Sequence, residues 1–284
     1  MRFARLSSLT ALAAASAFAL TACGVEDEPE TATSADCATD QLDLLTPGTL
    51  TIATDSPAYE PWFVDNDPTN SKGYESAVAY AVADQLGFSA DQVDWVTMPF
   101  NKSFKPGAER DFDFDINQIS ISPERAEVVD FSEGYYTAAQ AVITLPENAD
   151  GASSLAGLKD LKLGAQTGTT SLTAIREEVQ PSQEPLVFDN TNVAKQALMN
   201  GQVDAIVADL PTALYITAVE IPDGVIAGQF ASTSDPEEFG LLFEKGNPLL
   251  VCVNQALDTL TADGTLADLE DTWLSSEISV PVLK

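Results

Sequence analysis

The feature that most constrains the fold of this chain is an alternation of apolar strands with amphipathic helices, which occurs twice along the sequence. In the first half, strands are predicted at residues 49–54 and 93–97, and between them a helix begins at Tyr74 and ends at Gly87. Strands and helices that alternate at these lengths form βαβ units around a mostly parallel sheet. The chain is therefore predicted to be an α/β protein.

The alternation resumes at Lys162 and predicts a second assembly. Its strands are predicted at 162–166, 186–188 and 205–208, and its helices at 172–179, 191–201 and 210–219. Two final helices, at 248–262 and 265–273, have no sheet of their own, so we place them against the first assembly. The chain would then cross between two lobes near 137–140 and again near 230–235, and two connecting strands form a hinge.

The composition excludes several classes of function. The formal net charge of −31 argues against binding to nucleic acid or to an anionic membrane through a basic patch. The chain has no histidine, which rules out Ser-His-Asp and Cys-His catalysis and any histidine-ligated metal. Three widely spaced cysteines make no structural zinc site. No metal and no cofactor are expected.

The N-terminus has the features of an export signal. Two arginines precede an apolar run at 9–20 that is too short to span a bilayer, which predicts a signal peptide over residues 1–22. Its end, Leu-Thr-Ala-Cys, resembles the lipobox of bacterial lipoproteins, and this resemblance implies cleavage before Cys23 and lipidation of its thiol. The alternative is an ordinary secreted protein with a free cysteine. Residues 23–37 are polar and are predicted to form a disordered tether.

Cys37 and Cys252 remain after the lipidated cysteine is set aside. Outside the cytoplasm, two remaining cysteines are more often paired than free. We expect a disulfide that clamps the tether to the folded body. One buried thiol and one exposed thiol is the alternative.

Residues 112–131 contain the first candidate ligand site. A predicted strand leads into polar residues 117–120, after which Ser122 is placed to cap a short helix. Arg125 then lies near the carboxyl end of the strand, where open α/β sheets bind their ligands. A guanidinium among small polar groups suits a ligand carboxylate. The alternative is a surface arginine that pairs with a nearby acidic side chain.

The second assembly offers matching polar groups. Residues 167–171 form a polar turn between a strand and a helix, where backbone N–H groups can bind an anion. The turn lacks the lysine of a nucleotide-binding loop, and it could simply cap the helix. Asp209 ends a strand and could bind a ligand or cap the next helix. Asp55 follows the first strand and could be no more than a turn residue.

In combination, these segments resemble family 3 of the bacterial extracellular solute-binding proteins, the lipoproteins that deliver amino acids to ABC importers. The resemblance extends over residues 46–273 and rests on motifs at 55–62, 73–75, 112–136, 166–170, 200–205, 209–211 and 262–265. It implies a two-lobed, periplasmic-binding-protein-like (type II) fold with a two-strand hinge. The expected first lobe is discontinuous, comprising 38–139 and 231–284, and the second lobe comprises 140–230.

The resemblance also implies a ligand site. Its expected residues are Asp55, Tyr59, Trp62, Phe100, Asn117, Gln118, Ser120, Arg125, Thr167, Thr169, Thr170 and Asp209. Arg125 would bind the α-carboxylate of an amino acid, and Asp209 with Ser120 would bind its α-ammonium. The aromatic residues would wall the side-chain pocket, and Asn117 and Gln118 are bulkier than the serine or glycine that the family often has there.

The expected function is therefore a binding protein without catalysis. It would be a monomeric, lipid-anchored receptor outside the cell membrane that captures a polar amino acid and presents it to the transmembrane subunits of an ABC permease. The first alternative is an enzyme on the same fold, similar to a cyclohexadienyl dehydratase acting on a small carboxylic acid, with Asp55 or Glu60 as the acid. A sensory domain of a kinase is less favoured, because no transmembrane helix follows.

Overall fold

The computed structural model describes residues 37–231, 236–274 and 279–284. In chain order the strands are β1 (Leu50–Thr54), β2 (Val93–Thr97), β3 (Phe114–Asp115), β4 (Val129–Ala138), β5 (Gln140–Thr144), β6 (Leu163–Gln166), β7 (Leu186–Phe188), β8 (Ala205–Asp209), β9 (Val225–Gln229) and β10 (Glu237–Glu244). They form two sheets, with the orders β2–β1–β3–β10–β4 and β7–β6–β8–β5–β9. The predicted division into two α/β assemblies is confirmed.

Each sheet is parallel apart from the strand that adjoins the hinge. In the first sheet β10 runs antiparallel to β3 and β4, and in the second β5 runs antiparallel to β8 and β9. The other pairings, β1 with β2 and β3, and β6 with β7 and β8, are parallel. The carboxyl ends of these parallel strands are therefore the edges at which a ligand site is expected.

Helices flank both sheets. They are α1 (Tyr74–Gln85), α2 (Phe100–Ser103), α3 (Pro123–Ala126), α4 (Ala149–Ala152), α5 (Leu155–Leu158), α6 (Thr170–Ala174), α7 (Thr191–Met199), α8 (Leu210–Tyr215), α9 (Leu249–Ala262) and α10 (Thr265–Trp273). α6 and α8 each continue into a π-helical turn. The longest helices, α1 and α9, bury apolar side chains against the first sheet, as their helical spacing predicts.

A glycine fixes the start of α1. Gly73 has φ +90°, and a Cβ atom there would lie 2.4 Å from the carbonyl oxygen of Trp62. Any other residue would clash with that backbone. Because glycine has no side chain, the loop that carries Trp62 can pack directly on the first turn of the helix. This close approach brings the segment after β1 to the carboxyl edge of the first sheet.

The C-terminal helices pack on the first lobe, as predicted. Leu257 of α9 and Leu266 of α10 belong to the same buried cluster as Leu50 of β1. Cys252 on α9 is bonded to Cys37, with 5.5 Å between their Cα atoms. The predicted disulfide is confirmed, and it ties the start of the described chain to the first lobe.

The expected extent of the first lobe is wrong at the C-terminus. Residues 279–284 pack on the second sheet, where Leu283 enters the buried cluster. The Leu283 N–H donates to the Gln229 carbonyl at 2.8 Å, and the Leu155 N–H donates to the Lys284 carbonyl at 3.1 Å. These backbone bonds add a short extended segment beside β9, and pairing of this kind has no local sequence signal.

The two lobes are joined where the sequence indicated. β4 of the first sheet passes into β5 of the second through Ala139 alone. The return crossing lies between β9 and β10, and part of it, 232–235, lies outside the described residues. The predicted signal peptide 1–22, the lipidation site Cys23 and the tether before Cys37 also lie outside them. Within the described ranges, no helix has the length and apolar character needed to cross a bilayer.

Candidate ligand-binding site

A small cavity of about 50 Å³ lies between the two sheets, at the carboxyl ends of their parallel strands. The predicted residues that line it from the first lobe are Asp55, Tyr59, Phe100, Asn117, Gln118 and Ser120. Those that line it from the second lobe are Thr169, Thr170 and Asp209. The structure thus brings together most of the predicted site, although these residues are up to 154 positions apart (209 − 55) in the chain.

Asp55 begins the loop after β1, and two backbone groups fix its carboxylate. Its Oδ1 accepts a hydrogen bond from the Ser56 N–H at 2.7 Å, and its Oδ2 accepts one from the Phe100 N–H at 3.2 Å. Partial burial raises the pKa of Asp55, and the two hydrogen bonds oppose this effect. The group offers the cavity an oriented acceptor for a cationic or amide substituent.

Gln118 is positioned by Glu75, a fully buried carboxyl group on α1. Glu75 Oε1 accepts a bond from the Gln118 N–H at 2.7 Å, and the Gln118 side-chain amide pairs with Oε2. The Tyr135 hydroxyl donates to the same carboxyl group. These bonds hold Gln118 at φ +47°, in the left-handed region that costs a non-glycine residue about 1–2 kcal/mol. Burial raises the pKa of Glu75 to about 7.

Two buried polar groups near the end of β3 lack part of their hydrogen bonding. The Nδ2 of Asn117, whose residue is 5 % exposed, has no partner within the described protein. Asp115 accepts a bond from the Ser103 hydroxyl at 2.5 Å through Oδ2, while its Oδ1 has no partner there. Burial raises the pKa of Asp115 well above its ordinary value. Asn117 lines the cavity, so its free N–H groups are available to a ligand acceptor.

Arg125 lies at the junction of the lobes but does not line the cavity. Its Nη1 donates to the Ser120 carbonyl at 2.6 Å, and its Nη2 donates to the Gly168 carbonyl of the second lobe at 2.9 Å. The guanidinium carbon lies 4.3 Å from the centre of the Phe104 ring. Arg125 lines a more open neighbouring pocket of about 510 Å³ that shares wall residues with the cavity.

The surface-arginine alternative for Arg125 is wrong. The residue is only 8 % exposed, and its hydrogen bonds go to backbone carbonyls. Asp130, one of the acids that could have paired with it, instead pairs with Lys245 at 2.6 Å. Burial lowers the pKa of Arg125 to about 10, and the nearby carboxylates, Glu237 first, act against this shift.

Trp62 and Thr167, both expected at the ligand site, do not line the cavity. Trp62 is fully buried in the first lobe, because its indole packs edge-on against Tyr74 and other aromatic rings. Its Nε1–H nevertheless donates to the Thr212 hydroxyl of the second lobe at 2.8 Å. Thr167 lies at the strand edge, with its N–H bonded to the Phe188 carbonyl at 2.8 Å. Trp62 thus contacts the opposite lobe rather than the cavity.

The polar turn of the second lobe caps α6. The Thr169 hydroxyl accepts a bond from the Leu172 N–H at 3.1 Å, as a helix N-cap does. The preceding Gly168 has φ +77°, a conformation that favours glycine, and its carbonyl is the one bound by Arg125. The turn therefore places Thr169 and Thr170 on the cavity wall while its backbone contacts the first lobe.

Asp209 ends β8, and its carboxyl group is fixed by Gln140. The Gln140 Nε2 donates to Asp209 Oδ1 at 2.7 Å. Burial raises the pKa of Asp209 to about 8; the nearby Glu237 carboxylate adds to the rise and Arg125 opposes it. The group is held inside the protein without an ion-pair partner within 4 Å among the described residues. A ligand cation would supply one.

Several residues at the site were not predicted. Those on the cavity wall are Gln166, Ser171, Thr191, Val207, Ala208 and Thr212, and those beside it are Gln140 and Glu237. Gln140 and Glu237 come from the two hinge crossings, which the sequence located but whose side chains it did not single out. Glu237 accepts bonds from the Ser120 hydroxyl at 2.5 Å and the Thr170 hydroxyl at 2.7 Å. Polar residues at a hinge between two lobes are a signal that could have identified these positions. In the described residues, no cluster of three or more acidic or cysteine side chains is arranged to hold a metal ion.

The sequence profile of the bacterial extracellular solute-binding proteins, family 3, matches residues 50–276. The chain belongs to this family. The L-cystine-binding protein TcyJ of Escherichia coli (strain K12) is 28% identical over 235 residues, which are 82% of this chain and 85% of TcyJ. The L-cystine-binding protein TcyA of Bacillus subtilis (strain 168) is 28% identical over 264 residues, 92% of this chain and 94% of TcyA.

A solved structure, an ancestral arginine-binding protein bound to glutamine, is 32% identical, with a TM-score of 0.67, and covers 80% of this chain and 98% of its own. The two sheets and their order thus form the type II periplasmic-binding-protein fold that the sequence predicted. The relatives named here are binding proteins for amino acids rather than enzymes.

Proposed function

We propose that this protein is the receptor of an ABC importer, which captures a polar amino acid between its two lobes and delivers it to the permease. The observation that carries the proposal is the shared cavity, whose walls combine the carboxylate of Asp209 from one sheet with polar groups from the other. Arg125 reaches across the junction of the lobes beside it. An amino acid carries one group of each charge, and its removal from water needs a partner for both.

In this proposal Arg125 binds the ligand α-carboxylate when the lobes separate and close again around the ligand. Only two of its five N–H groups are used in bonds to the Ser120 and Gly168 carbonyls. Asp209 binds the α-ammonium. Asn117, with its free Nδ2 group, and Asp55 bind the far end of the side chain, which must therefore be polar.

Ligand entry requires opening of the hinge. The cavity is walled by side chains of both lobes, so an amino acid reaches it when the lobes separate. Opening would break the cross-lobe bond from Trp62 to Thr212 and the one from Arg125 to Gly168. Ligand contacts with both lobes would then restore the closed form, which is how a ligand shifts a hinge equilibrium.

The test is a thermal-shift screen of the exported form of the protein against the twenty amino acids and L-cystine, followed by calorimetry on each ligand that raises the melting temperature. At least one polar amino acid should bind with one-to-one stoichiometry. No shift with any of them would reject the proposal. Recovery of the bound ligand after long incubation, analysed by mass spectrometry, separates a receptor from a lyase, because a lyase would return a changed molecule.

The lipid anchor and the lobe boundaries belong to the same proposal. Cleavage before Cys23 and lipidation of its thiol would hold the receptor on the outer face of the cell membrane, beside the permease. Lobe 1 would comprise residues 38–139 and 231 onward except for the final segment 279–284, and lobe 2 residues 140–230 with that segment. The change Cys23→Ser should release the protein from the membrane fraction without changing its affinity for the amino acid.

A further inference from the structure

The carboxylate of Glu237 lies at the cleft without an assigned role. Glu237 is the first residue of β10, directly after the return crossing between the lobes. Its Oε1 accepts bonds from the Ser120 hydroxyl at 2.5 Å and from the Thr170 hydroxyl at 2.7 Å. Ser120 belongs to the first lobe and Thr170 to the second. The carboxylate of Glu237 therefore lies where both lobes meet, beside the cavity that Ser120 and Thr170 line.

Glu237 and Asp209 form a pair of neighbouring carboxyl groups. One amide nitrogen, Nε2 of Gln140, donates to Asp209 Oδ1 at 2.7 Å and to Glu237 Oε2 at 3.1 Å. Two carboxylates this close repel one another, and they share a single side-chain amide. Arg125 acts electrostatically on both, yet its hydrogen bonds are made to backbone carbonyls and it forms no ion pair within 4 Å among the described residues.

We propose that Glu237 is a ligand-binding residue, which with Asp209 forms a two-carboxylate subsite for the α-ammonium group of the bound amino acid. The inference rests on the proposed function and extends it, because it assigns a charged group from the hinge strand to the ligand. The site would bind its cation from both sheets at once, through β8 and β10.

The chemistry of an ammonium group fits this arrangement. It has three N–H donors and a full positive charge, so it can bond to Asp209, Glu237 and the Ser120 hydroxyl together. Its charge removes the repulsion between the two carboxylates, which a neutral amide cannot do. A ligand with a carboxylate and no amine would leave that repulsion in place. The site should therefore reject the α-hydroxy acid that corresponds to its amino acid.

The pairing of Asp209 with Glu237 also couples ligand binding to closure of the two lobes. Asp209 ends a strand of the second sheet, and Glu237 begins a strand of the first. An ammonium group between them attracts a wall of each lobe, so it contributes to affinity only in the closed form. This differential contact is the condition for a ligand to shift a two-state equilibrium.

A purely structural role for Glu237 is the competing explanation, in which its carboxylate merely links the Ser120 and Thr170 hydroxyls. The change Glu237→Gln distinguishes this structural role from ligand binding. The amide oxygen of glutamine still accepts bonds from both hydroxyls, while the negative charge and the longer bond from Gln140 Nε2, at 3.1 Å, are lost. Glu238→Gln is the matched control, because Glu238 is the next residue of the same strand, is exposed and makes none of the side-chain bonds to Ser120, Thr170 and Gln140 that Glu237 makes.

The probes are L-cystine, L-arginine and L-glutamine, and calorimetry is performed with whichever binds the wild-type protein most tightly. Glu237→Gln should weaken binding by about 10- to 100-fold, or about 1.4–2.8 kcal/mol at 1.4 kcal/mol per tenfold. Glu238→Gln should stay within about twofold, since exposed charges contribute little. Equal or tighter binding by Glu237→Gln overturns the inference and leaves the amino-acid receptor standing. If the wild-type protein binds none of these or the remaining amino acids, the receptor function itself fails.

A measurement on the wild-type protein covers the case in which Glu237→Gln does not fold. The pKa of Asp209 is raised to about 8, so the empty pair holds a proton at pH 7. A cation between the carboxylates would expel it. Calorimetry at pH 7 in phosphate and in Tris, whose ionisation enthalpies differ, should report net proton release on binding. The absence of proton release would overturn the two-carboxylate subsite. The titratable and charged groups that face Asp209 are Glu237, Glu75 and Arg125.

Discussion

Replacement of Arg125 by methionine tests the largest single contribution to ligand binding. In the closed structure Arg125 is 8 % exposed and donates to one carbonyl in each lobe. Methionine has a similar length and can keep the contact with Phe104 through its thioether. The change therefore removes the charge and the donors while most of the packing remains.

The expected loss follows from the bonds that Arg125 would make to an α-carboxylate. Hydrogen bonds to charged groups contribute about 1.5–3 kcal/mol each, so a bidentate pair contributes about 3–6 kcal/mol. At 1.4 kcal/mol per tenfold, Arg125→Met should weaken binding by roughly 10²- to 10⁴-fold. Arg125→Lys should lose less, since it keeps the charge but not the planar pair of donors.

The assay is calorimetry with the amino acid found in the screen, together with circular dichroism to verify folding. Arg176→Met is the matched control, because Arg176 is half-exposed in the second lobe and pairs with Glu184 at 3.7 Å. It should bind like the wild-type protein. A folded Arg125→Met protein with an affinity within threefold of wild type would refute the assignment of the carboxylate to Arg125.

Three further outcomes are expected. Thr212→Val removes the acceptor of the Trp62 indole across the lobes, so affinity should fall about 3- to 10-fold in calorimetry with the melting temperature nearly unchanged. Without ligand, the wild-type protein should lose stability as pH rises from about 4 to 8. The folded state retains a proton on Asp209, because the pKa of this group is raised to about 8, and the unfolded state does not. In urea unfolding, the free energy of unfolding of Asp209→Asn should fall less steeply with pH. Reduction of the bond between Cys37 and Cys252 should lower the melting temperature, since closing so long a loop is credited with up to about 4–5 kcal/mol; an unchanged melting temperature would show that the bond constrains nothing in the unfolded chain.

Elements with a strong local pattern could be predicted from the sequence. The strand 93–97 and the helix 265–273 have the predicted bounds, and α1 begins at the predicted Tyr74. The spacing of apolar residues and a glycine beside a helix terminus determine the bounds of such elements, and these signals lie within or next to the element itself. The strands β4, β5 and β9 were not predicted, because their pairing partners are distant in sequence and their own alternation is interrupted.

The candidate site, too, could be predicted only in part from the sequence. The motifs located the ends of the strands, and these ends brought Asp55, Asn117 and Asp209 to one cavity. They did not indicate that Trp62 turns into the core or that Arg125 would bond to backbone carbonyls. Those outcomes depend on which side chains the opposite lobe presents, and no local pattern in the sequence encodes a contact between lobes.

The distribution of charge in the cleft explains why closure would depend on the ligand. Direct bonds between the lobes, from Trp62 to Thr212 and from Arg125 to Gly168, favour the closed form even when the cleft is empty. The carboxyl groups of Asp209 and Glu237 oppose it, because closing places them side by side without a cation, and one of the two must then hold a proton to limit their repulsion. An amino acid reverses the sign of this second contribution, since its ammonium group converts repulsion into attraction. A ligand without that charge would meet the same cavity and the same direct bonds, but closure would remain opposed.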